Sequence, residues 1–448
     1  MRLLFLIKKV FYVFLLNIAL FALTSSVYGQ QSSIVAFPGA EGYGANTPGG
    51  RGGKVYVVSN LEDSGIGSFR EACEAEGPRI VVFNVSGIID LKTPVVISKP
   101  FITIAGQTAP GMGICLKRRE LRVFTHNVIV RCLRSRPGDV SGEELDAISV
   151  GKDAHDVILD HCSANWSVDE GLSPSGNIYN ITIQWCLIGQ SLQKSVHKKG
   201  AHGFGSLVRG IGGMTLHHNL WIDNTARNPR LGDNYNKPPW PTMDVRNNVM
   251  YNWGKMCSGM TGGNVSANYV FNYLKPGPAS SVTAPIVLTK TSKVKFYLEG
   301  NIVEGRPQYD KNSNEWFDTS SDKTIKLYEL MDKPFLTAPI VTTSAKQAYT
   351  DVLAKVGATS PSRDVIDANL IKQVRTNTGK LINSQNEIGG WPKYPTAKPQ
   401  IDSDKDGIPD AWEHSHGLNP KNAKDSPEIS KTNPGYTNIE VYINQLCK

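Results

Sequence analysis

The chain has 448 residues, 40% of them apolar and 20% charged, with a formal net charge of +8. That composition excludes a multi-span membrane protein and a wholly disordered chain. The basic balance suits an anionic partner, whether nucleic acid, anionic lipid or an acidic polysaccharide, and does not choose among them.

Arg2, Lys8 and Lys9 precede an apolar run from Val10 to Leu23, which gives way to small residues ending near Gly29. These are the n-region, h-region and cleavage zone of a secretory leader. Residues 1–29 are therefore expected to be removed and the protein exported. The run is short for a membrane span, so no stable membrane insertion is expected. Seven cysteines follow, at Cys73, Cys115, Cys132, Cys162, Cys186, Cys257 and Cys447. The odd count, wide scatter and lack of a CxxC pair argue against a disulfide framework or a zinc site.

The glycines between Phe37 and Gly67 suit tight turns. The segment from Glu71 to Glu76 reads as a short helix capping an open end of the fold. Then an apolar-x-apolar triplet recurs: Ile102–Ile104, Val128–Val130, Val157–Leu159, Ile181–Ile183, Met214–Leu216, Met243–Val245, Val265–Ala267 and Val294–Phe296. Alternation marks strands with one buried face. Steps of 22 to 33 residues between triplets mark a solenoid. Short β-branched strands separated by turns predict an all-β fold, a single-stranded parallel β-helix over about 33–305. Cys162, Cys186, Asn219 and Asn248 each lie three residues beyond a triplet. Equivalent positions stack in a solenoid, so asparagines there can bond along the stack and cysteines fill it. Register drifts by one at Cys132.

Acidic and basic residues gather on successive predicted turns: Asp146, Asp160, Asp169 and Glu170, then His197, Lys199 and His202, then Arg227 and Arg230. Most fall at strand ends or in loops, where a rigid scaffold carries its site. Carboxylates beside Lys and Arg point to a divalent cation next to an anionic substrate.

After residue 306 the texture changes. Ala348, Val352 and Val356 share one helical face, and a second helix is expected over 364–374. Both should pack on the outside of the coil, within a mixed helical and irregular region over 306–398. The tail, 399–448, contains Asp402, Asp404, Asp406, Gly407, Ile408, Asp410 and Glu413 at loop positions one, three, five, six, seven, nine and twelve. That is the oxygen-ligand spacing of a calcium loop, with Ile408 offering its carbonyl. It resembles the thrombospondin type 3 and dockerin-like motifs, and its expected role is to order the tail.

The stretches AFPGAEGYGA, VVFNVSGIIDL, ITIAGQTAPG, DAISVGKDAHDVILDHCSANWSVDEGLSP and MTLHHNLWIDNTARNPRLGD carry a specific resemblance over about 35–305. They resemble the pectate lyase family of right-handed parallel β-helix proteins, in its bacterial secreted subgroup. The resemblance implies calcium-assisted β-elimination of polygalacturonate by a secreted or periplasmic monomer. Arg227 matches the family's catalytic Arg, with Pro229 keeping the spacing. Asp146 matches the first calcium ligand and Glu170 the second, with Asp169 as the alternative. The third ligand position falls at Ser173 or Pro174, neither a carboxylate. The substrate-binding Lys falls at Lys199 or His202. The second signature Arg falls at Gly232, leaving Arg230 to supply its charge.

A guanidinium ordinarily stays protonated, so this base needs a depressed pKa and predicts an alkaline optimum. Three other readings compete. A pectin lyase would take the methyl-esterified polymer. A β-helix hydrolase would use Asp160, Asp169 and Glu170 as acid and base. A non-catalytic glycan-binding β-helix would stack sugars on Trp166, Trp221, Tyr235 or Trp240. A nucleic-acid role has no supporting motif.

Overall fold

A computed structural model describes residues 34–281, 284–289, 291–319 and 327–447. The expected leader lies outside the described residues. Among these residues no helix is long and apolar enough to cross a membrane.

The strands wind into a parallel β-solenoid with three faces. One face is an eleven-stranded sheet running from Lys54–Val58 to Tyr328–Leu330. A second is nine-stranded, from Gly87–Asp90 to Ile302–Val303. The third begins as four strands, Val95–Ile97 to Leu172–Pro174, and continues as five, Leu207–Gly210 to Phe317–Asp318. Parallel pairing thus extends past residue 305, because the eight-residue strand Ser292–Glu299 offers an edge to Tyr328–Leu330.

All eight triplets lie in the eleven-stranded sheet. Val128 pairs with Ile102 and Val157, and Ile181 with Met214. One alignment differs from expectation. Met243 pairs with Ala267 and Val245 with Tyr269, so the partner of that triplet is 267–269 rather than 265–267. A slip of two residues leaves the same side chains inward, so sequence alternation cannot detect it.

The stacked column is longer than expected. The Cys186 amide donates to Asn219 Oδ1, the Asn219 amide to Asn248 Oδ1, the Asn248 amide to Asn272 Oδ1, and the Asn272 amide to Asn301 Oδ1. Leu133, not Cys132, is the equivalent of Cys162, since Arg134 pairs with Ser163. Cys132 belongs to the preceding corner with His161, Trp185, His218 and Asn247, all left-handed with φ of 51–55°. Repetition of one corner on every turn stacks these residues, with Trp185 and His218 rings 4.3 Å apart.

The helix Phe69–Glu74 covers the first turns. Ser68 caps it, accepting from the Glu71 amide, and Phe69, Ala72 and Cys73 enter the core. Buried Arg79 fastens it by donating to the Ala72 and Cys73 carbonyls. Helices Ala345–Lys355 and Val365–Thr376 lie against the outside of the nine-stranded face. Val352, Leu370 and Val374 there meet Leu187, Leu220 and Val249. A buried charge network pins the second helix: Arg136 reaches Asp364 and Asp367 at 2.5 and 2.7 Å, and Ser163 donates to Asp367 at 2.6 Å. The tail packs Ile408, Ile439, Tyr442 and Ile443 on Ile80, Val82 and Ala105 of the eleven-stranded face.

Candidate active site

The acidic and basic residues converge at the leading edge of the third face. Single parallel bridges join Glu170 to Phe204 and Phe204 to Ala226, placing them on successive turns beside Arg227. Asp146, just before the strand Ile148–Val150, accepts from the Glu170 amide at 3.0 Å and from Ser149 Oγ at 2.9 Å. Carboxylate oxygens of Asp146, Asp169 and Glu170 lie within 4.8 Å of one another. Burial holds the Asp146 carboxyl well above its usual range, and Glu120 and Asp169 add to the shift. Such crowding of like charge favours a divalent cation, and the oxygen-only donor set suits calcium.

Arg227 pairs with Glu170 and lies over the Phe204 ring, its guanidinium carbon 4.1 Å from the centroid. Its Nε is buried without a hydrogen-bond partner. Burial, then the neighbouring charge of Arg230, pushes this guanidinium down to about 10, against the pull of Asp169 and Asp146.

Arg230 opens the next strand, its Nε donating to the Met260 carbonyl at 3.2 Å. Beside it stands Arg209, which sequence reasoning missed. Its Nε donates to the Asp233 carbonyl at 2.9 Å, and its guanidinium lies 3.5 Å from the centre of the Tyr235 ring. Arg209 is the register partner of Gly232. A Cβ at Gly232 would stand 1.9 Å from Thr261 Oγ1 and 3.5 Å from Arg209 Cγ. A side chain at the position where the resemblance expects an arginine would require Thr261 to shift, and Arg209 reaches it from the previous turn. Neither Arg209 nor Arg230 is ion-paired with a carboxylate among the described residues. The signal for Arg209 was one of register: it needed the turn-to-turn pairing of 207–210 with 230–233.

His202 bonds Asp169 through Nε2 at 2.8 Å and stacks on His197 with centroids 3.6 Å apart. The Lys199 amide donates to His197 Nδ1 at 3.1 Å, so the ring proton sits on Nε2, facing Asp169 at 3.7 Å. A protonated nitrogen is not a metal ligand, so the stacked pair forms a wall in which His202 bonds Asp169 and, among the described residues, His197 Nε2 has no hydrogen-bond partner. Of the two substrate-binding candidates, His202 joins the acidic cluster while the Lys199 side chain is exposed.

Asp160 does not join the site. It is wholly buried and bonded to Arg131, His161 and Gln184. That removes it from acid–base work. Trp166 and Trp221 are likewise buried in packing, whereas Tyr235 and Trp240 are 63% and 44% exposed.

The tail loop assembles a second acidic group. Asp402, Asp404 and Asp406 gather, and Asp406, Glu413 and Asp425 form a contiguous buried set. Both oxygens of Asp404 and Glu413, with Asp406 Oδ2 and Asp425 Oδ1, are buried without a hydrogen-bond partner. Burial, with neighbouring carboxylates, pushes Asp406 up to about 7 and Glu413 to about 8. These orphaned oxygens fit a cation. Asp410, at the ninth position of the loop, accepts from the Ser403 amide and hydroxyl, both at 2.7 Å. It opens the helix Asp410–His416, where a carboxylate bonded back to the loop stabilises the helix start. Asp425, twelve residues beyond Glu413, joins the acidic group and lay beyond any contiguous spacing rule. The Ile408 side chain is wholly buried in the apolar contact with the coil.

No family model matches the chain. It is 39% identical over 440 residues to "Probable pectate lyase C" of Aspergillus terreus, covering 96% of this chain and 98% of the relative. To the protein of the same name from Emericella nidulans it is 38% identical over 424 residues, covering 93% of each. Both relatives are fungal, whereas the resemblance pointed to a bacterial subgroup. Among solved structures, "Pectate lyase bound to hexasaccharide" matches with a TM-score of 0.49 at 15% identity, over 74% of this chain and 99% of that one.

Proposed function

The chain belongs to the pectate lyase family, and from that premise we propose that it is an exported, monomeric lyase cleaving α-1,4-linked polygalacturonate by calcium-assisted β-elimination. The observation that carries the reading is geometric: Arg227, beside Arg230, is set against the three-carboxylate group Asp146, Asp169 and Glu170. Calcium held by those carboxylates would neutralise the substrate carboxylate next to C5, so that developing negative charge is tolerated.

Arg227, in its neutral form, takes the C5 proton. The C5–H electron pair becomes the C4–C5 double bond, the C4–O bond breaks, and the departing oxygen takes up a proton. A base near pKa 10 is about 1% neutral at pH 8, so turnover should climb with pH. Arg230 and Arg209, free of carboxylate partners, hold carboxylates of neighbouring uronates, and His202 contacts the sugar beside the cation. Tyr235, exposed and backed by Arg209, offers a ring face to the polymer. In the tail, Asp402, Asp404, Asp406, Glu413 and Asp425 would hold a second, structural calcium.

The test is absorbance of unsaturated product from polygalacturonate, with and without calcium. Activity is expected to rise towards alkaline pH and to stop on chelation. It should vanish in Arg227→Ala with the circular dichroism spectrum unchanged. New reducing ends without ultraviolet absorbance would make the enzyme a hydrolase; full turnover by Arg227→Ala would remove the base assignment.

A further inference from the structure

Cys132 and Cys447 are 315 residues apart in sequence, yet their sulfurs stand 3.4 Å from one another. Cys132 is wholly buried at its left-handed corner of the coil. Cys447 lies two residues beyond the helix Asn438–Gln445 and is partly exposed. The tail that brings it there is fixed by other contacts. Ser360 Oγ donates to the Leu446 carbonyl at 2.7 Å, Arg131 donates to Asn444 Oδ1 at 3.0 Å, and Tyr442 and Ile443 are seated on the coil. The approach of the two thiols is therefore built into the docking of the tail.

We propose that Cys132 and Cys447 close into a disulfide that fastens the C-terminal tail to the β-solenoid. Among the other cysteines, Cys162 and Cys186 also interact through their thiols, but both are sealed in the core. Cys115, Cys162 and Cys186 are wholly buried and direct their thiols to backbone carbonyls at 3.3 to 3.7 Å. Cys447 instead borders a cavity of about 480 Å³ shared with Arg131, Trp185, Lys355 and Ser360. That opening admits a small disulfide oxidant. The hydrogen bond from Cys132 pushes the Cys447 thiol down to about 7 despite its burial, with Arg131 assisting. Cys447 is thus the attacking thiolate.

The chemistry is a two-step exchange with a low-molecular-weight disulfide such as oxidised glutathione. Cys447 attacks one oxidant sulfur, the oxidant's S–S bond breaks, and one thiolate departs. Cys132 then loses its proton and attacks Cys447 Sγ, expelling the second thiolate. Two electrons pass to the oxidant, and the protons end on the two released thiols. An oxidising compartment lets the product persist. The inference stands apart from the lyase reading, since neither sulfur belongs to the acidic and basic cluster.

Peptide mapping without reduction tests it. The purified full chain is equilibrated with oxidised and reduced glutathione, then unfolded in excess alkylating agent. Five of the seven cysteines should be alkylated, with one cross-linked peptide pair carrying Cys132 and Cys447. Cys447→Ser should show six alkylated cysteines and a Tm that reductant does not change, whereas reductant lowers the Tm of the parent. Seven alkylated cysteines, or a link joining Cys162 to Cys186, would overturn the proposal.

Discussion

At the scale of single residues, Gly232 and Arg209 show how a site can move between turns. Thr261 would have to shift to admit a side chain at 232, and Arg209 crosses from the previous turn. A charge-assisted bond contributes about 1.5–3 kcal/mol. Arg209→Gln is therefore expected to raise KM on polygalacturonate about tenfold or more while kcat changes little; steady-state kinetics checks this. Asp223 makes a separate prediction. Its carboxylate is buried and, among the described residues, accepts only from Asn252 at 2.6 Å, with Oδ2 unpartnered. Burial pushes its carboxyl up to about 8. Its folded form keeps the proton, so its contribution is intact below the unfolded value near 3.8 and is lost as pH rises through about 8. The loss is on the order of 4 kcal/mol at pH 7. Asp223→Asn keeps the shape and tolerates the left-handed φ of 54°. It should raise Tm at pH 8 and leave it nearly unchanged at pH 4, as thermal scans would show.

At the scale of elements, the asparagine column joins four turns through side chains rather than strands. Asn248 Oδ1 accepts from both the amide and the side chain of Asn219, and Asn248 Nδ2 donates to the Leu216 carbonyl. Asn248→Ala strands the Asn219 amide and the Leu216 carbonyl in the interior. Each buried orphan costs about 1–3 kcal/mol. The expected result is a urea midpoint lowered by at least about 1 M, with an unchanged m-value. The upper half of this column was legible because Cys162, Cys186, Asn219 and Asn248 keep one offset from their triplets. Asn272 and Asn301 were not, because the real partner of 243–245 is 267–269 and the count was taken from 265–267. Helices 345–355 and 365–376 were legible from the sequence texture, the first from its apolar spacing, while their caps Ser344 and Asp364 emerged with the structure. The ion pairs of Asp364 and Asp367 with Arg136 were not, since no local rule links residues more than 200 positions apart.

At the scale of the whole molecule, the tail is a separate element laid against the first turns of the coil, far in sequence from the site. Its orphaned carboxylates destabilise it unless a cation is present. Calcium should therefore raise Tm, by an amount that grows with the logarithm of its concentration above Kd. Asp425→Asn should abolish much of that rise while leaving kcat on polygalacturonate intact. Calorimetry beside the absorbance assay separates this cation from the one at Asp146, Asp169 and Glu170.

The sequence by itself determined the solenoid, its helical additions and the acidic tail loop, because alternation, capping and ligand spacing are local patterns. It also named Asp146, Asp169, Glu170, His202, Arg227 and Arg230, since each sits near a recognisable strand end. Only the tertiary structure decided which of these meet, that Asp160 is sealed away, that Arg209 stands over Gly232, and that Asp425 joins the acidic tail group. The physical reason is register. In a parallel stack, neighbours in space are a whole turn apart in sequence, and the turn lengths vary, so the contacts exist only once the coil is wound.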